Sequence, residues 1–326
     1  MCKMVLSLTQ TLLGASIPVL CYHQVRPESG MTPEKFGSHL DLIRKMGFET
    51  ISLTRLHAVI TRQEKLTIPA IVITFDDCTL DNWVYAVPEL LRRNMTGVFF
   101  AITDFLRPGP PRPRADQGGR MPIPRFDEIM DQALQGNCEW FMNHAEIRLL
   151  VHDLGMEVYS HSAAHQACFT SSKPNGTLGD AKHWSHKTLC GPDATADSPV
   201  YPTGSAYAHA GFGLDWNGRP LRIAEQEQRL DMCLEDFSRA KKELEAILDR
   251  PNPFLCLPWG QFDGTTLEAS ANAGYQATLT LERTVFGPGS QRIGRIAVKD
   301  AKTPAWLKNK LLLHAHALPA KILRSR

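Results

Sequence analysis

The feature that most limits how this chain can fold is an alternation. Short, branched or aromatic apolar runs at 17–22, 70–75, 96–102, 156–160, 254–257, 275–280 and 292–298 are separated by stretches with helical spacing. Runs of this length and composition fit buried strands. Thr32-Pro33 opens a helix with an N-cap followed by proline at the first helical position; Phe36, Leu40, Ile43 and Met46 then share one face, and Gly47 ends it. Further helices are expected at 80–93, 145–154 and 224–248, the last with Leu230, Phe237, Leu244 and Leu248 near helical spacing. Residues 265–273 form another, ended by Gly274, and Thr303-Pro304 opens one more. Strands alternating with helices give an α/β fold with a mostly parallel sheet and helices outside. Seven strands in one domain favour a barrel slightly short of eight units, with an open doubly wound sheet as the alternative. In both, ligand sites lie at the C-terminal ends of the strands.

Two stretches break the alternation. Residues 107–125 are rich in Pro, Gly and Arg and read as a surface loop. Residues 166–222 hold many Gly, Pro, Ser, Thr and His without a period. Structureless loops of that length are uncommon in compact domains, so this one reads as a functional insertion shaping a rim beside the site. Lys3, a moderately apolar stretch and Gly14-Ala15-Ser16 resemble a leader, but Ser7, Thr9, Gln10 and Thr11 interrupt it and make a poor signal peptide. Residues 1–16 are therefore taken as a leader or N-terminal extension, and 17–326 as one domain. No apolar run approaches the ~18 residues a spanning helix needs.

The 326 residues carry 43% apolar side chains, 21% charged ones and a net charge of +2. That balance provides no broad basic surface for nucleic acid, and no feature sets an oligomeric state. The eight cysteines include no Cys-x-x-Cys pair, so they read as scattered reduced thiols rather than a zinc site or a disulfide framework.

Three polar groups sit at predicted strand ends. Asp76-Asp77 follows 70–75, His161 and His165 follow 156–160, and His23 follows 17–22. Adjacent carboxylates repel and need a positive partner when buried. The His-x-x-x-His spacing puts two imidazoles on one face of a helical turn. Two histidines and one carboxylate make a metal-binding set with open positions. Asp77 can then join His161 and His165 as a ligand. Asp76 stays free as a base, and a histidine opposite can protonate a leaving nitrogen.

Ile71-Val72-Ile73-Thr74-Phe75-Asp76-Asp77 resembles the first motif of the polysaccharide deacetylase family (NodB homology, carbohydrate esterase family four). Ser160-His161-Ser162-Ala163-Ala164-His165 resembles its second, and Leu257-Pro258-Trp259-Gly260 its third, an Arg-x-Pro-aromatic-Gly loop. Pro18 to Val25 and Trp259 to Thr280 resemble the poly-β-1,6-N-acetylglucosamine N-deacetylase branch. The resemblance implies a distorted (β/α)7 barrel and hydrolysis of N-acetyl groups on N-acetylglucosamine units of a polysaccharide. It implies Asp76 as base, Asp77, His161 and His165 as ligands, and an oxyanion loop at Pro258, Trp259 and Gly260. In this branch the acid histidine comes from the N-terminal strand, which assigns His23. Leu311-Leu312-Leu313-His314 mimics the motif that supplies it elsewhere in the family, so His314 is the alternative acid. Zinc suits such a set, which would also accept cobalt, nickel or iron.

Two residues depart from the family pattern: Cys78 replaces the usual Gly after the Asp pair, and Cys256 replaces the third-motif Arg that partners the base. They motivate two rival readings, a hydrolase of a small amide and a non-catalytic carbohydrate-binding protein. Trp83 and Tyr85 are divided between a sugar groove and the core. His183, His186 and His209 read as exposed loop residues. Polymer deacetylation points to the cell envelope, whereas reduced cysteines and a weak leader point to the cytoplasm.

Overall fold

The strand Ala70–Phe75 is apolar at nearly every position because both its faces are covered. Ala70 and Val72 pack with Phe100, Tyr159 and Phe254, whereas Ile71, Ile73 and Phe75 pack the other way with Phe36 and Leu40 of the helix Pro33–Lys45. A strand buried on both faces between a barrel interior and a layer of helices reads as a continuous apolar run. The same division holds for Val98 and Phe100 against Phe99, one strand over. The computed structural model describes residues 16–215, 218–222, 226–282, 291–299 and 302–316. Apart from Ser16, the expected leader lies outside them.

The main sheet is parallel throughout. Its order is Arg292–Gly294, Ala277–Thr280, Phe254–Cys256, Glu157–Ser160, Val98–Ala101, Ala70–Phe75, Val19–Tyr22 and Ile296–Ala297, with a short strand, Glu49–Thr50, alongside Ala70 and Ile71. The first and last of these eight segments are one stretch of chain interrupted at Arg295. Thr280 pairs with Gly294 on one side and Leu20 with Ile296 on the other. The interruption lets a single strand close the ring, so the nearly closed eight-segment barrel is built from seven strands, as a (β/α)7 barrel requires.

Thr32 caps the helix Pro33–Lys45 by accepting the Lys35 N–H, and Phe36, Leu40, Ile43 and Met46 are buried, as their spacing predicts. The helix expected over 80–93 is different. A wide π-turn at Asn82–Ala86 precedes the helix Val87–Leu91, because Pro88 has no N–H to donate back to the Val84 carbonyl. Three helices lie outside the expected set: Leu53–Ile60, although Ser52 caps it and Leu53, Leu56 and Ile60 share its buried face, Phe126–Leu134 and Trp184–Cys190.

The described residues of the insertion form two small sheets and a helix. Ala167–Phe169, Thr203–Ser205, Phe212–Leu214 and Pro220–Arg222 form a four-stranded antiparallel sheet, and Gly176–Thr177 pairs with Pro199–Val200. Strands of two or three residues are too short to show a period of two. The Pro- and Arg-rich loop is exposed but pinned: Arg112 Nε and Nη2 donate to Glu146, itself fully buried, at 2.8 and 2.7 Å. Trp83 and Tyr85 belong to the core and hold that loop, donating to the Arg112 and Met121 carbonyls at 2.7 and 2.9 Å. The cysteines among the described residues are all free, and no described helix is long and apolar enough to cross a membrane.

Candidate active site

The inward register of the strands assembles the site. Val19, Val72, Tyr159, Phe254 and Cys256 lie in the barrel interior. Because strand side chains alternate, Cys21 and His23 continue the inward face of the first strand, Thr74 and Asp76 that of the second, and His161 that of the fourth. The structure brings them together: Asp76 Oδ2 lies 4.0 Å from both His23 Nε2 and His161 Nε2. Asp76, Asp77, His161 and His165 are buried, whereas the His23 side chain is 51% exposed. The base candidate therefore lies at the bottom of the site and the acid candidate on its rim.

Asp77 Oδ1 is 3.5 Å from His161 Nε2 and 3.9 Å from His165 Nε2. Ligands of a tetrahedral zinc ion with bonds of ~2.0–2.1 Å stand roughly 3.3 Å apart, so these three atoms need to move little to share one. His161 Nδ1 lies 2.9 Å from the Cys256 carbonyl. That contact requires the proton on Nδ1 and leaves the Nε2 lone pair facing Asp77, as in second-shell control of a ligand imidazole. Burial lowers His161 to about 4 and, with His161 beside it, takes His165 well below the ordinary histidine range, so both rings are neutral. Burial raises Asp77 to about 7, with His23 opposing and Asp76 and Asp81 adding to the rise. A buried carboxyl beside two neutral imidazoles is a donor set suited to a divalent cation.

The two histidines meet through a strained loop rather than a helical turn, which corrects the expectation from their spacing. Ser162 and His165 have φ of 65° and 51°, and Ser162 Oγ accepts the His165 N–H at 3.0 Å. Asp77, Cys78 and Trp259 also have positive φ, so five of the eight such non-glycine residues among those described belong to this site. Each costs of order ~1–3 kcal/mol and persists only where its surroundings enforce it. Cys78 thus adopts the left-handed conformation for which glycine is the easier residue, and it is fully buried.

Asp76, the base candidate, is supported by a residue absent from the motifs. Arg295, buried at the interruption of the closing strand, donates to Asp76 Oδ1 and Oδ2 at 2.5 and 2.9 Å and to Thr74 Oγ1 at 3.2 Å. Burial opposes ionisation of Asp76, but the Arg295 guanidinium outweighs it and, with His161, holds the carboxyl well below its usual range. Burial keeps the Cys21 and Cys256 thiols protonated, and their sulfurs lie 3.5 and 3.6 Å from Asp76 Oδ2 and Oδ1. Cys256 therefore touches Asp76 but does not neutralise it; that charge comes from Arg295. The loop bearing His23 is fixed separately. Asn82 Nδ2 donates to the His23 carbonyl at 2.9 Å, and Asp81 accepts the Val25 N–H at 2.5 Å.

Trp259 carries the third-motif loop against His165, ring to ring at 4.5 Å, and Trp184 of the insertion stacks on Trp259 at 5.9 Å. His183, expected to be an exposed loop residue, is partly buried, 6.2 Å from the Trp259 ring. His209 lies 3.1 Å from the Gln261 side chain. The insertion thus forms one wall of the site. Gly260 has φ of 64°, and a Cβ there would come 2.6 Å from the Leu281 backbone nitrogen. Gly260→Ala is expected to lower stability by about 2 kcal/mol from the left-handed backbone and forced displacement together; an unchanged urea midpoint would contradict this. His314 ends the helix Pro304–His314, which packs on Pro33–Lys45, and it joins none of the potential ligand clusters around Asp76 or Asp77 among the described residues.

The polysaccharide deacetylase family model matches residues 63–278. The chain belongs to the polysaccharide deacetylase family. A Bacillus subtilis protein described as a polysaccharide deacetylase, YxkH, is 29% identical over 90 residues, which is 27% of this chain and 32% of that relative. The matched segment therefore spans about a third of that curated relative's length. The fold is similar to a de-N-acetylase from Aggregatibacter actinomycetemcomitans (TM-score 0.64, 17% identity, covering 90% of this chain and 98% of the other). It is also similar to IcaB from Ammonifex degensii (TM-score 0.58, 18% identity, 90% and 98%) and to the BpsB deacetylase domain from Bordetella bronchiseptica (TM-score 0.60, 18% identity, 87% and 96%). At these identities the similarity establishes the fold.

Proposed function

We propose that this family member is a metal-dependent N-deacetylase that hydrolyses the acetamides of N-acetylglucosamine units in a polysaccharide. The observation that carries this reading is the pairing of a buried three-donor set (Asp77, His161 and His165) with an adjacent carboxylate already neutralised by Arg295. The two aspartates are electrostatically distinct. One has room for a cation, and the other remains an ionised acceptor. Asp77, His161 and His165 would hold the cation, zinc by preference with cobalt, nickel or iron also suited. When bound, it would polarise the acetamide carbonyl and acidify a water.

The chain's own residues supply the rest. Asp76, fixed by Arg295, accepts the proton of the attacking water. His23, across the site and open to solvent, donates to the departing nitrogen. Pro258 has no N–H, and the Gly260 N–H is engaged with the Leu257 carbonyl at 2.8 Å. The donor left to the developing oxyanion is therefore Trp259 N–H, a role worth about 3 kcal/mol in other enzymes. Trp259, backed by Trp184, would cover the sugar side of the pocket.

Acetate release on chitin oligomers and β-1,6-linked N-acetylglucosamine oligomers, with zinc, cobalt or nickel supplied after chelation, tests the proposal. Release should depend on the added ion and vanish with the bound metal in His161→Ala. Glycan binding without acetate release under any divalent ion would overturn it in favour of a non-catalytic binder. Cation affinity should also depend on pH. Asp77 titrates near 7 without a cation and must lose its proton to bind one. Burial holds both His161 and His165 below the ordinary histidine range, so neither has a proton to lose near neutral pH. Affinity should therefore fall by about tenfold per pH unit below 7 and level off above it, as read by chelator competition between pH 5 and 8. A flat profile would remove Asp77 from the ligand set.

A further inference from the structure

The loop that joins His161 to His165 is held from both sides. Its carbonyls at Ser162 and Ala163 accept from the Thr103 and Asp104 backbone N–H groups at 3.3 and 3.0 Å. Its own successive N–H groups at Ala163 and Ala164 turn the other way, and both end on one side chain. Asp236, on the helix Gln226–Leu248, accepts the Ala163 N–H on Oδ1 at 2.7 Å and the Ala164 N–H on Oδ2 at 3.1 Å. Asp236 is 3% exposed, and its Oδ2 also accepts the Tyr207 hydroxyl at 2.9 Å. Tyr207 is fully buried and belongs to the insertion, and its hydroxyl oxygen accepts the Gln166 N–H at 3.1 Å, directly after His165.

We propose that Asp236 is a positioning residue for the His161–His165 pair, and that Tyr207 couples the insertion to the same loop. Consecutive backbone N–H groups beside a left-handed residue form a concavity that suits an anion, and here the protein supplies a carboxylate of its own. Bonds to an ionised acceptor are the stronger kind. They are placed where the chain must sustain positive φ at Ser162 and His165 to aim both imidazoles at Asp77. Without Asp236, the buried Ala163 N–H and the partly buried Ala164 N–H lose their acceptor and the loop can relax out of its strained conformation. The histidines would remain but their spacing would not be maintained. The insertion, linked through Tyr207, then contributes to ligand geometry as well as to the wall of the pocket.

This inference rests on Asp77, His161 and His165 holding a cation, and the test separates the two. Wild type, Asp236→Ala, Asp236→Asn and Tyr207→Phe are titrated with Co2+ under chelator competition, and the visible spectrum of each loaded protein is recorded. Circular dichroism confirms which variants fold. Amide exchange across 161–166 is followed without metal. Asp236→Ala is expected to bind Co2+ about 10–100-fold more weakly, the usual loss on removing outer-shell support, with an altered Co2+ spectrum and faster exchange at Ala163 and Ala164 in the metal-free state. Asp236→Asn keeps one acceptor and should fall between, as should Tyr207→Phe, and both carry the test if the alanine variant does not fold. Wild-type affinity, spectrum and loop exchange in the folded variants would overturn the proposal. A wild-type chain that takes up no Co2+ but still loses loop protection in Asp236→Asn would overturn the metal reading, and the positioning role with it.

Discussion

Asp76→Asn is expected to reduce acetate release by about 10²–10⁴-fold, the range a positioned acid or base contributes, while cation content stays at the wild-type level. The carboxamide has the shape of the carboxylate but cannot accept a proton, and Asp76 is outside the buried Asp77–His161–His165 ligand set. His161→Ala should show the opposite pattern, losing cation and turnover together, so metal analysis beside the acetate assay distinguishes base from ligand. Asp76 is ionised throughout the working range, since Arg295 outweighs burial and keeps its carboxyl far below neutral pH. The acidic limb of the pH–rate profile should therefore follow protonation of Asp77 and loss of the cation, not titration of the base. In Asp76→Asn the residual rate should keep that limb. Undiminished turnover in Asp76→Asn would remove Asp76 from the mechanism.

The sequence made most of the inward-facing site legible because a parallel barrel places every second residue of a strand on one face. His23, Asp76 and His161 follow from 17–22, 70–75 and 156–160 by that rule, and the fold followed from the same alternation. Three things did not. The approach of His165 depends on positive φ at Ser162 and His165, which the sequence conceals since neither residue is glycine. The strands of the insertion are two or three residues long, below the length at which periodicity can appear. Arg295 lies 219 residues from Asp76, inside a run that reads as one continuous strand. A signal was present there: a charged residue in the middle of an apolar barrel strand needs a buried counter-charge, and Asp76-Asp77 was the pair in need of a cation. Arg295 Nη1 reaches Asp76 Oδ1, the same oxygen that the Cys256 sulfur approaches, so the guanidinium comes from the closing strand rather than from the third motif.

Arg295→Met is expected to lose about 3–5 kcal/mol of stability at neutral pH, the usual result of removing one partner from a buried ion pair. The size depends on pH, and its sign follows from Asp76. In the wild type the folded-state pKa is depressed, so its contribution to stability is present above the unfolded value of about 3.9 and is lost only as pH falls through the folded one. Without the guanidinium, burial dominates and raises the folded pKa above the unfolded value. The variant is then penalised increasingly as pH rises from about 4 towards neutral. Urea unfolding at pH 4.5 and 7.5 should show a larger gap from wild type at the higher pH, and an equal gap would argue that Arg295 contributes packing rather than charge. Arg295→Lys retains the charge but not the two-pronged contact with Oδ1 and Oδ2, so it should recover only part of the loss. Adding Asp76→Asn to Arg295→Met removes the stranded carboxylate. That double variant should be more stable at pH 7.5 than Arg295→Met alone while remaining inactive, because the charge pair that stabilises the closing strand is also the one that keeps the base ionised.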